Sequence, residues 1–261
     1  MNQYCPPDIA RVETGWHSER VGTRVEVRRW GHFGRPLLLF PTAGGDAEEI
    51  ERFLMIKVLA PLLREGRLKL YSCDSISGRA WLDPSLQGVQ RARVQSRFDT
   101  FIATELVPAI RQDCGNAEIL LGVAGSSIGA FNALSSICRH PDLFDTAFCL
   151  SGTYDLSRWM SGQHSFDYHV SSPLHFIPNL TEDSEQLRLL RQRLIVLGSG
   201  EGRWEAPWEC WMVARALGAR GIPNRVDLWG KDWDHDWVTW RKFLPDYLDA
   251  WTQGWGPAAK I

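Results

Sequence analysis

The sequence predicts an α/β fold: a mostly parallel sheet opened by an antiparallel N-terminal strand pair, with helices on both faces. Three features carry that expectation. Short apolar runs recur along the chain, too uniformly hydrophobic for strands with one wet face and so suited to burial on both sides. Stretches of helical apolar spacing lie between them, the alternation that a parallel sheet with crossover helices requires. Ahead of both, Arg24-Val25-Glu26-Val27-Arg28-Arg29-Trp30 alternates with a period of two, the mark of a strand with one covered face.

The elements follow in order. Val12 to Trp30 forms the antiparallel pair, with Gly22 as its turn. Leu37-Leu38-Leu39-Phe40, bounded by Pro36 and Pro41, is a buried strand that runs into the small-residue loop Pro41-Thr42-Ala43-Gly44-Gly45-Asp46. Asp46 or a neighbour caps a helix marked by Ile50, Phe53, Leu54, Val58 and Leu62 and ended by Gly66. Leu68 to Asp74 is a strand, and Ser77 to Pro84 reads as an irregular loop carrying Trp81. Val94, Phe98, Phe101, Ile102 and Leu106 mark a long helix with Pro108 near its end. Beyond the central motif, Thr146 to Gly152 is the next parallel strand. From Thr153 to about Glu185 periodicity is lost, and an irregular insertion over the cleft is expected near 153–185. Leu187 to Arg193 is helical, Leu194 to Leu197 a strand, Trp208 to Leu217 a helix, Arg225 to Trp229 a strand and Trp237 to Trp251 a closing helix. No linker, charge block or repeat divides the 261 residues, so a single domain over 1–261 is expected.

The central motif is Gly125-Ser126-Ser127-Ile128-Gly129, an apolar run leading in and an amphipathic small-residue helix leading out. Strand, abrupt turn and helix are the context in which Gly-x-Ser-x-Gly forms the nucleophile elbow of an α/β-hydrolase fold. Such a turn strains the serine backbone and demands small residues two positions away on each side, which Gly125 and Gly129 supply. Ser127 is therefore the candidate nucleophile, with the N–H of Ile128 facing negative charge that develops on a substrate carbonyl. A second oxyanion donor is expected from Ala43 or Gly44, in the loop after the early buried strand.

A serine hydroxyl needs a general base, and the base needs an orienting carboxylate, following in this fold in the order Ser, acid, His. Of seven histidines only His235 lies beyond the last strand, in Gly230-Lys231-Asp232-Trp233-Asp234-His235-Asp236-Trp237. The acid belongs in Gly198-Ser199-Gly200-Glu201-Gly202-Arg203-Trp204-Glu205. Glu201 sits between glycines, whereas Glu205 precedes Ala206-Pro207 and a helix that can hold it rigid, which favours Glu205 and leaves Glu201 as the alternative.

Composition limits the partners. A net charge of −2 gives no electrostatic case for nucleic acid or anionic membrane. Nothing approaches the length of a membrane span, and Met1 to Pro7 has neither basic region nor apolar core, so a cytoplasmic location is expected. The six cysteines lack metal spacing and lie mostly in apolar segments, which reads as buried free thiols; no metal or organic cofactor is implied. Homo-oligomerisation is left open.

With those residues in view, the chain resembles the putative esterase family of α/β-hydrolases, the group that holds S-formylglutathione hydrolase, the antigen 85 mycolyltransferases and feruloyl esterases. The resemblance runs over nearly the whole chain, through Phe40-Pro41-Thr42-Ala43-Gly44-Gly45, Glu105-Leu106-Val107-Pro108-Ala109-Ile110, the Gly125 to Ala130 motif, and His235-Asp236-Trp237 with Trp240. It implies a Ser, Asp or Glu, His triad, and a Gly-x-Gly-x-aromatic-Glu loop that puts the acid at Glu205. The oxyanion loop lacks the His-Gly of lipases, and the acid is Glu rather than the commoner Asp. The expected activity is hydrolysis of a small-molecule carboxylic ester through an acyl-enzyme. Acyl transfer on the same residues and a non-catalytic binding protein of the same fold are the competing readings. Trp81, Trp233 and Trp237 are candidate substrate contacts, with Trp159, Phe166 and Tyr168 on the leaving-group side. Such a ring-lined cleft suits short-chain or aromatic esters better than lipid tails.

Overall fold

The structure, a computed structural model, describes residues 4–253; the first three residues of the chain and Trp255 lie outside that range. Eight strands form one sheet in the order β1-β2-β4-β3-β5-β6-β7-β8. They are β1 (Arg11–Ser18), β2 (Thr23–Trp30), β3 (Arg35–Phe40), β4 (Leu68–Cys73), β5 (Leu121–Ser126), β6 (Phe144–Leu150), β7 (Leu194–Ser199) and β8 (Asn224–Leu228). The β1–β2 and β2–β4 pairs are antiparallel and all other pairs parallel. The expected hairpin turns at Gly22, whose φ of 68° is open to glycine at no steric cost.

Strand alternation divides the core between the two faces. Leu38 and Phe40 of β3 join Val123 of β5 and Leu197 of β7 beneath the helices Gly88–Phe101, Ile128–Arg139 and Pro207–Gly218. Leu37 and Leu39 point the other way, onto the helices Met55–Arg64 and Trp237–Trp251. The helix Ile128–Arg139 is wedged so deeply that every residue from Ile128 to Cys138 is buried.

Three segments depart from expectation. The helix foreseen from Ile50 to Leu62 is broken: Glu49–Arg52 stops, Leu54 takes a left-handed φ of 65°, and Met55–Arg64 restarts. The break follows from the closing helix, where Arg241 Nη1 donates to the Phe53 carbonyl (2.7 Å) and Trp237 stacks on the Phe53 ring (5.0 Å, 8°). Ser77 to Pro84 is no irregular loop, since Ile76–Leu82 is a helix. The long helix starts at Gly88 and continues past Pro108 to Asp113, through a π-helical turn at Ile102–Leu106. Val107 N–H reaches Ile102 in that turn, the wider geometry taking up the proline, which has no N–H of its own to donate. The 153–185 segment holds short helical pieces, Ser157–Met160, Phe166–Ser171, Pro173–Phe176 and Ile177–Asn179, of which Phe166–Ser171 packs on Gly88–Phe101.

The tightest packing is at the start of the central helix. A Cβ on Gly129 would stand 2.6 Å from the Pro41 carbonyl oxygen and 2.8 Å from that of Phe40, and a Cβ on Gly125 would collide with the Gly129 backbone. Backbone carbonyls cannot retreat as a flexible side chain can, so Gly129→Val should cost roughly 1–3 kcal/mol or more of stability by overpacking. Urea unfolding checks this, and a midpoint equal to that of the parent would contradict the packing described.

Candidate active site

The parallel strands bring five loops to one edge of the sheet, where ligands of such sheets bind. Ser127 follows β5 directly, Ser151 follows β6, Gly200 to Ala206 follows β7, Trp229 to Asp236 follows β8, and Pro41 to Gly45 follows β3. Ser126 pairs with Leu150, so Ser127 and Ser151 are neighbours across the sheet edge.

Ser127 has φ 57° and ψ −123°, a conformation an L-residue holds only under constraint. Its N–H donates to Leu150 O (3.0 Å), and its carbonyl accepts from Ala130 N (3.1 Å) and Thr153 N (3.3 Å). The peptide is thereby held from both sides at the amino end of a helix, while the side chain is half-exposed. Ser126, its neighbour, is buried.

Across from it, Gly45 N donates to Thr42 O (3.1 Å), closing a turn with Ala43 and Gly44 at its tip. Among the described residues, neither the Ala43 nor the Gly44 N–H has a hydrogen-bond acceptor. The helix Ile76–Leu82 supports this turn from behind, since a Cβ on Gly78 would lie 2.8 Å from Ala43 O.

The loops that hold Glu205 and His235 are knit together by backbone bonds: Glu201 N to Gly230 O (3.0 Å), Gly202 N to Trp233 O (3.0 Å) and His235 N to Arg203 O (3.0 Å). Glu205, not Glu201, meets the histidine. Its side chain is fully buried, with Oε2 3.7 Å from His235 Nδ1, an ion-pair separation rather than a hydrogen bond. Glu201 is exposed. Glu205 Oε1 accepts from Ser151 Oγ (2.6 Å) and Oε2 from Ser199 Oγ (3.1 Å), and Trp240 Nε1 donates in turn to Ser151 Oγ (2.9 Å). The Trp240 ring also meets His235 edge to face (5.2 Å). Sequence reading passed over Ser151 and Ser199, and the one signal for either was a position directly beyond a buried strand.

Two other carboxylates, the buried Glu49 and the half-buried Glu209, tie loops at this edge. Glu49 accepts from Thr42 N (2.7 Å) and Thr42 Oγ1 (2.6 Å), and Glu209 accepts from Tyr154 N and from Asp155 N (3.0 Å). Burial raises the pKa of both from the ordinary carboxylate value. Burial also pushes the Cys210 thiol, near Glu205 and Glu209, up to about 12, so it stays protonated and unreactive at neutral pH.

Trp81 lies deeper than expected, while Trp233 and Trp237 stay on either side of His235 in the chain. Trp81 is 1% exposed, with Nε1 donating to Gln95 Oε1 (3.1 Å) and Trp159 and Tyr168 against its ring. Its environment is core, so Trp81→Ala is foremost a cavity mutation and cannot isolate a substrate contact. Trp233 packs edge to face on Phe243 (4.9 Å), and Trp237 is sandwiched between Phe53 and Trp240; both are half-buried. Tyr168 is buried, with its hydroxyl accepting from Leu156 N (3.0 Å), and Phe166 is 79% exposed. A cavity of about 660 Å³ lies within the insertion, lined by Met160, Phe166, Tyr168, His169 and His175 among others, and includes neither Ser127 nor His235. Among the described residues no cluster of three or more His, Cys, Asp or Glu could hold a metal ion, and no helix is long and apolar enough to cross a membrane.

The sheet order, the antiparallel opening pair and the strained serine between strand and helix define an α/β-hydrolase. Residues 83–250 match the family described as "Putative esterase", and the chain belongs to that family. As a member of it, the protein is a carboxylesterase-type serine hydrolase. Among solved structures it is similar to a ferulic acid esterase (TM-score 0.71, 16% identity, covering 94% of this chain and 98% of that one). It is also similar to an S-formylglutathione hydrolase from Agrobacterium tumefaciens (TM-score 0.69, 12% identity, 94% of each chain). The corresponding hydrolase from Staphylococcus aureus gives a TM-score of 0.62 at 14% identity over 95% of this chain and 98% of that one. No curated protein matches the sequence.

Because Ser151 joins Trp240 to Glu205, Ser151→Ala should leave one carboxylate oxygen and one indole N–H unpaired. With a charged hydrogen bond worth ~1.5–3 kcal/mol, kcat on p-nitrophenyl acetate should fall about 10-fold or more. A steady-state assay on folded protein checks this, and unchanged kcat would mean that Glu205 is held without Ser151.

Proposed function

We propose that the protein hydrolyses carboxylic esters through an acyl-enzyme formed on Ser127. Ser127 Oγ attacks the ester carbonyl, and His235 takes its proton and returns it to the departing alcohol. Glu205 orients the imidazole and balances the charge it gains. The N–H groups of Ile128 and Ala43 stabilise the oxyanion, with Gly44 as the alternative second donor. Water then enters by the same relay and releases the acid.

The observation that carries this reading is the backbone of Ser127, held at φ 57° between β5 and a fully buried helix, a strained arrangement that a mere connection between strand and helix does not require. Supporting it, Glu205 is the buried and doubly bonded carboxylate of its loop and stands beside His235. The 3.7 Å separation is of the loose kind found before substrate closes a site.

For substrate we propose short-chain or aromatic acyl esters. The wall behind Ala43 and Ile128 is a closed cluster of Trp81, Phe131, Leu156, Met160 and Tyr168. Such packing favours a short or flat acyl group over a long tail, which needs a continuous aliphatic groove. Two of the solved structures that the chain resembles are named for ferulic acid and for an S-formyl compound, a flat and a one-carbon acyl group. We also propose a cytoplasmic location, supported by six free cysteines.

Ser127→Ala and His235→Ala should each lower kcat by roughly three or more orders of magnitude, and not additively, since the relay acts as one unit. Glu205→Gln should cost far more than Glu201→Gln. Substantial hydrolysis by a folded Ser127→Ala protein, or greater damage from Glu201→Gln, would sink the assignment. Among p-nitrophenyl esters, acetate and butyrate should be preferred to palmitate; kcat/KM rising steadily with chain length would refute the acyl pocket.

A further inference from the structure

Glu49 has no part in the relay, yet it occupies an expensive position. Its carboxylate is buried beside the oxyanion loop with no ion pair in direct contact among the described residues; Arg52, paired with Asp46, offsets only part of the burial cost through space. Removing a carboxylate from water without a cationic partner is costly, and such groups persist where local geometry demands them. Both oxygens are engaged by one residue, Oε2 by Thr42 N–H (2.7 Å) and Oε1 by Thr42 Oγ1 (2.6 Å). Room for the carboxylate comes from Gly45, where a Cβ would stand 2.5 Å from Glu49 Oε2 and 2.6 Å from the Pro41 Cβ.

We propose that Glu49 is a positioning residue for the oxyanion hole, holding the Thr42 to Gly45 turn so that the Ala43 N–H faces the developing negative charge. This rests on the reading of Ala43 as an oxyanion donor. In a planar trans peptide the carbonyl and the N–H point in opposite directions. The Thr42 carbonyl is directed into its turn by Gly45 N (3.1 Å), so the N–H of Ala43, in the same peptide plane, points out of it. That plane can still rock about the Cα of Thr42. Glu49 removes this freedom by fixing the preceding N–H and the Thr42 side chain together, and Gly78 closes the rear of the turn against Ala43. An amide can mimic this clamp, its oxygen accepting from Thr42 N–H and its NH2 donating to Thr42 Oγ1, which also accepts, so alanine is the substitution that removes both contacts. Burial, which raises the pKa of Glu49, marks the cost of keeping a carboxylate there.

The test uses the full chain and compares the parent with Glu49→Ala, Thr42→Val and Thr42→Ser. Three quantities are measured: kcat and KM on p-nitrophenyl acetate, the inhibition constant of a small methyl trifluoromethyl ketone, and thermal unfolding. The ketone adds the serine hydroxyl and so carries an oxyanion, which the ground-state ester lacks. Loss of one whole oxyanion donor costs ~100–1,000-fold, so a misaimed donor should lower kcat by about 10- to 100-fold. The ketone should weaken by a similar factor while KM stays within about threefold, the pattern of an interaction made only in the transition state. Thr42→Ser, which keeps the hydroxyl, should stay close to the parent and Thr42→Val should not. If Glu49→Ala fails to fold, Thr42→Val decides by the same ratios, because it leaves the carboxylate and the backbone bond in place. Glu49→Ala and Thr42→Val proteins with kcat within twofold of the parent, or with lowered melting but unchanged ketone affinity per folded site, overturn the proposal. A parent that hydrolyses no ester overturns the proposed function and this inference with it, whereas an active parent with unaffected variants overturns this inference alone.

Discussion

The contact on which the site depends is between the backbone of Gly129 and the carbonyls of Phe40 and Pro41. It lets the helix Ile128–Arg139 start flush against the end of β3, with no side chain between. Two consequences follow from that approach. The turn between β5 and the helix becomes too short for ordinary dihedrals, so Ser127 adopts φ 57° at a cost of about 1–3 kcal/mol. The loop after β3 is drawn to the helix amino end, where the N–H groups of Ile128 and Ala43 share one neighbourhood. The strain is borne by the helix itself, which buries Phe131, Leu134 and Ile137 completely; each such side chain contributes roughly 1.5–3 kcal/mol.

Of the five non-glycine residues with positive φ among those described, Ser127, Ser151 and Trp204 lie at this one edge of the sheet. The loops there have little core of their own, and carboxylates partly or wholly withdrawn from water take over the task of fixing them. Glu49 holds the loop after β3, Glu209 the loop after β6, and Glu205 links the first residue beyond β6 to the last of β7. Each carboxylate accepts at least two hydrogen bonds, as burial of a charge demands. Polar ties are directional where apolar packing is not, which suits groups that must point rather than merely fill space.

How much of this could be read in the sequence depends on how local the cause is. The elbow was legible because strand, glycines and helix are contiguous in Ile119 to Leu134. The closing helix was legible to its ends because Asp236 caps it, accepting from Val238 N and Thr239 N. The choice of Glu205 over Glu201 came from rigidity, a local argument, and the structure does bury Glu205 and expose Glu201. What escaped was set by partners distant in sequence. The helix Ile76–Leu82 has Gly78 at its centre, which reads as a loop residue, and the reason for it is the approach of Ala43 from another loop. Trp81 looked like a cleft residue until Gln95 and the 153–185 insertion covered it. Ser151 was invisible because its role depends on β6 lying between β5 and β7.

The pairing of Glu205 with His235 is itself a property of the backbone. Arg203 and Asp234 bridge the two loops, but Arg203 is 82% exposed, and an ion pair so open to water is screened and contributes little. The three backbone bonds from Glu201, Gly202 and His235 are the firmer tie. They constrain the glycines as well: a Cβ on Gly202 would lie 2.6 Å from Trp233 O, and one on Gly200 would strike the same oxygen. Once the loops are in register, the left-handed turn at Trp204 (φ 65°) separates the side chains that follow. Trp204 turns out to 87% exposure and Glu205 turns in to none. The exposed indole is therefore the outer consequence of a turn whose inner consequence is the buried acid. The same turn explains why the carboxylate can be rigid although it lies on a loop six residues past its strand.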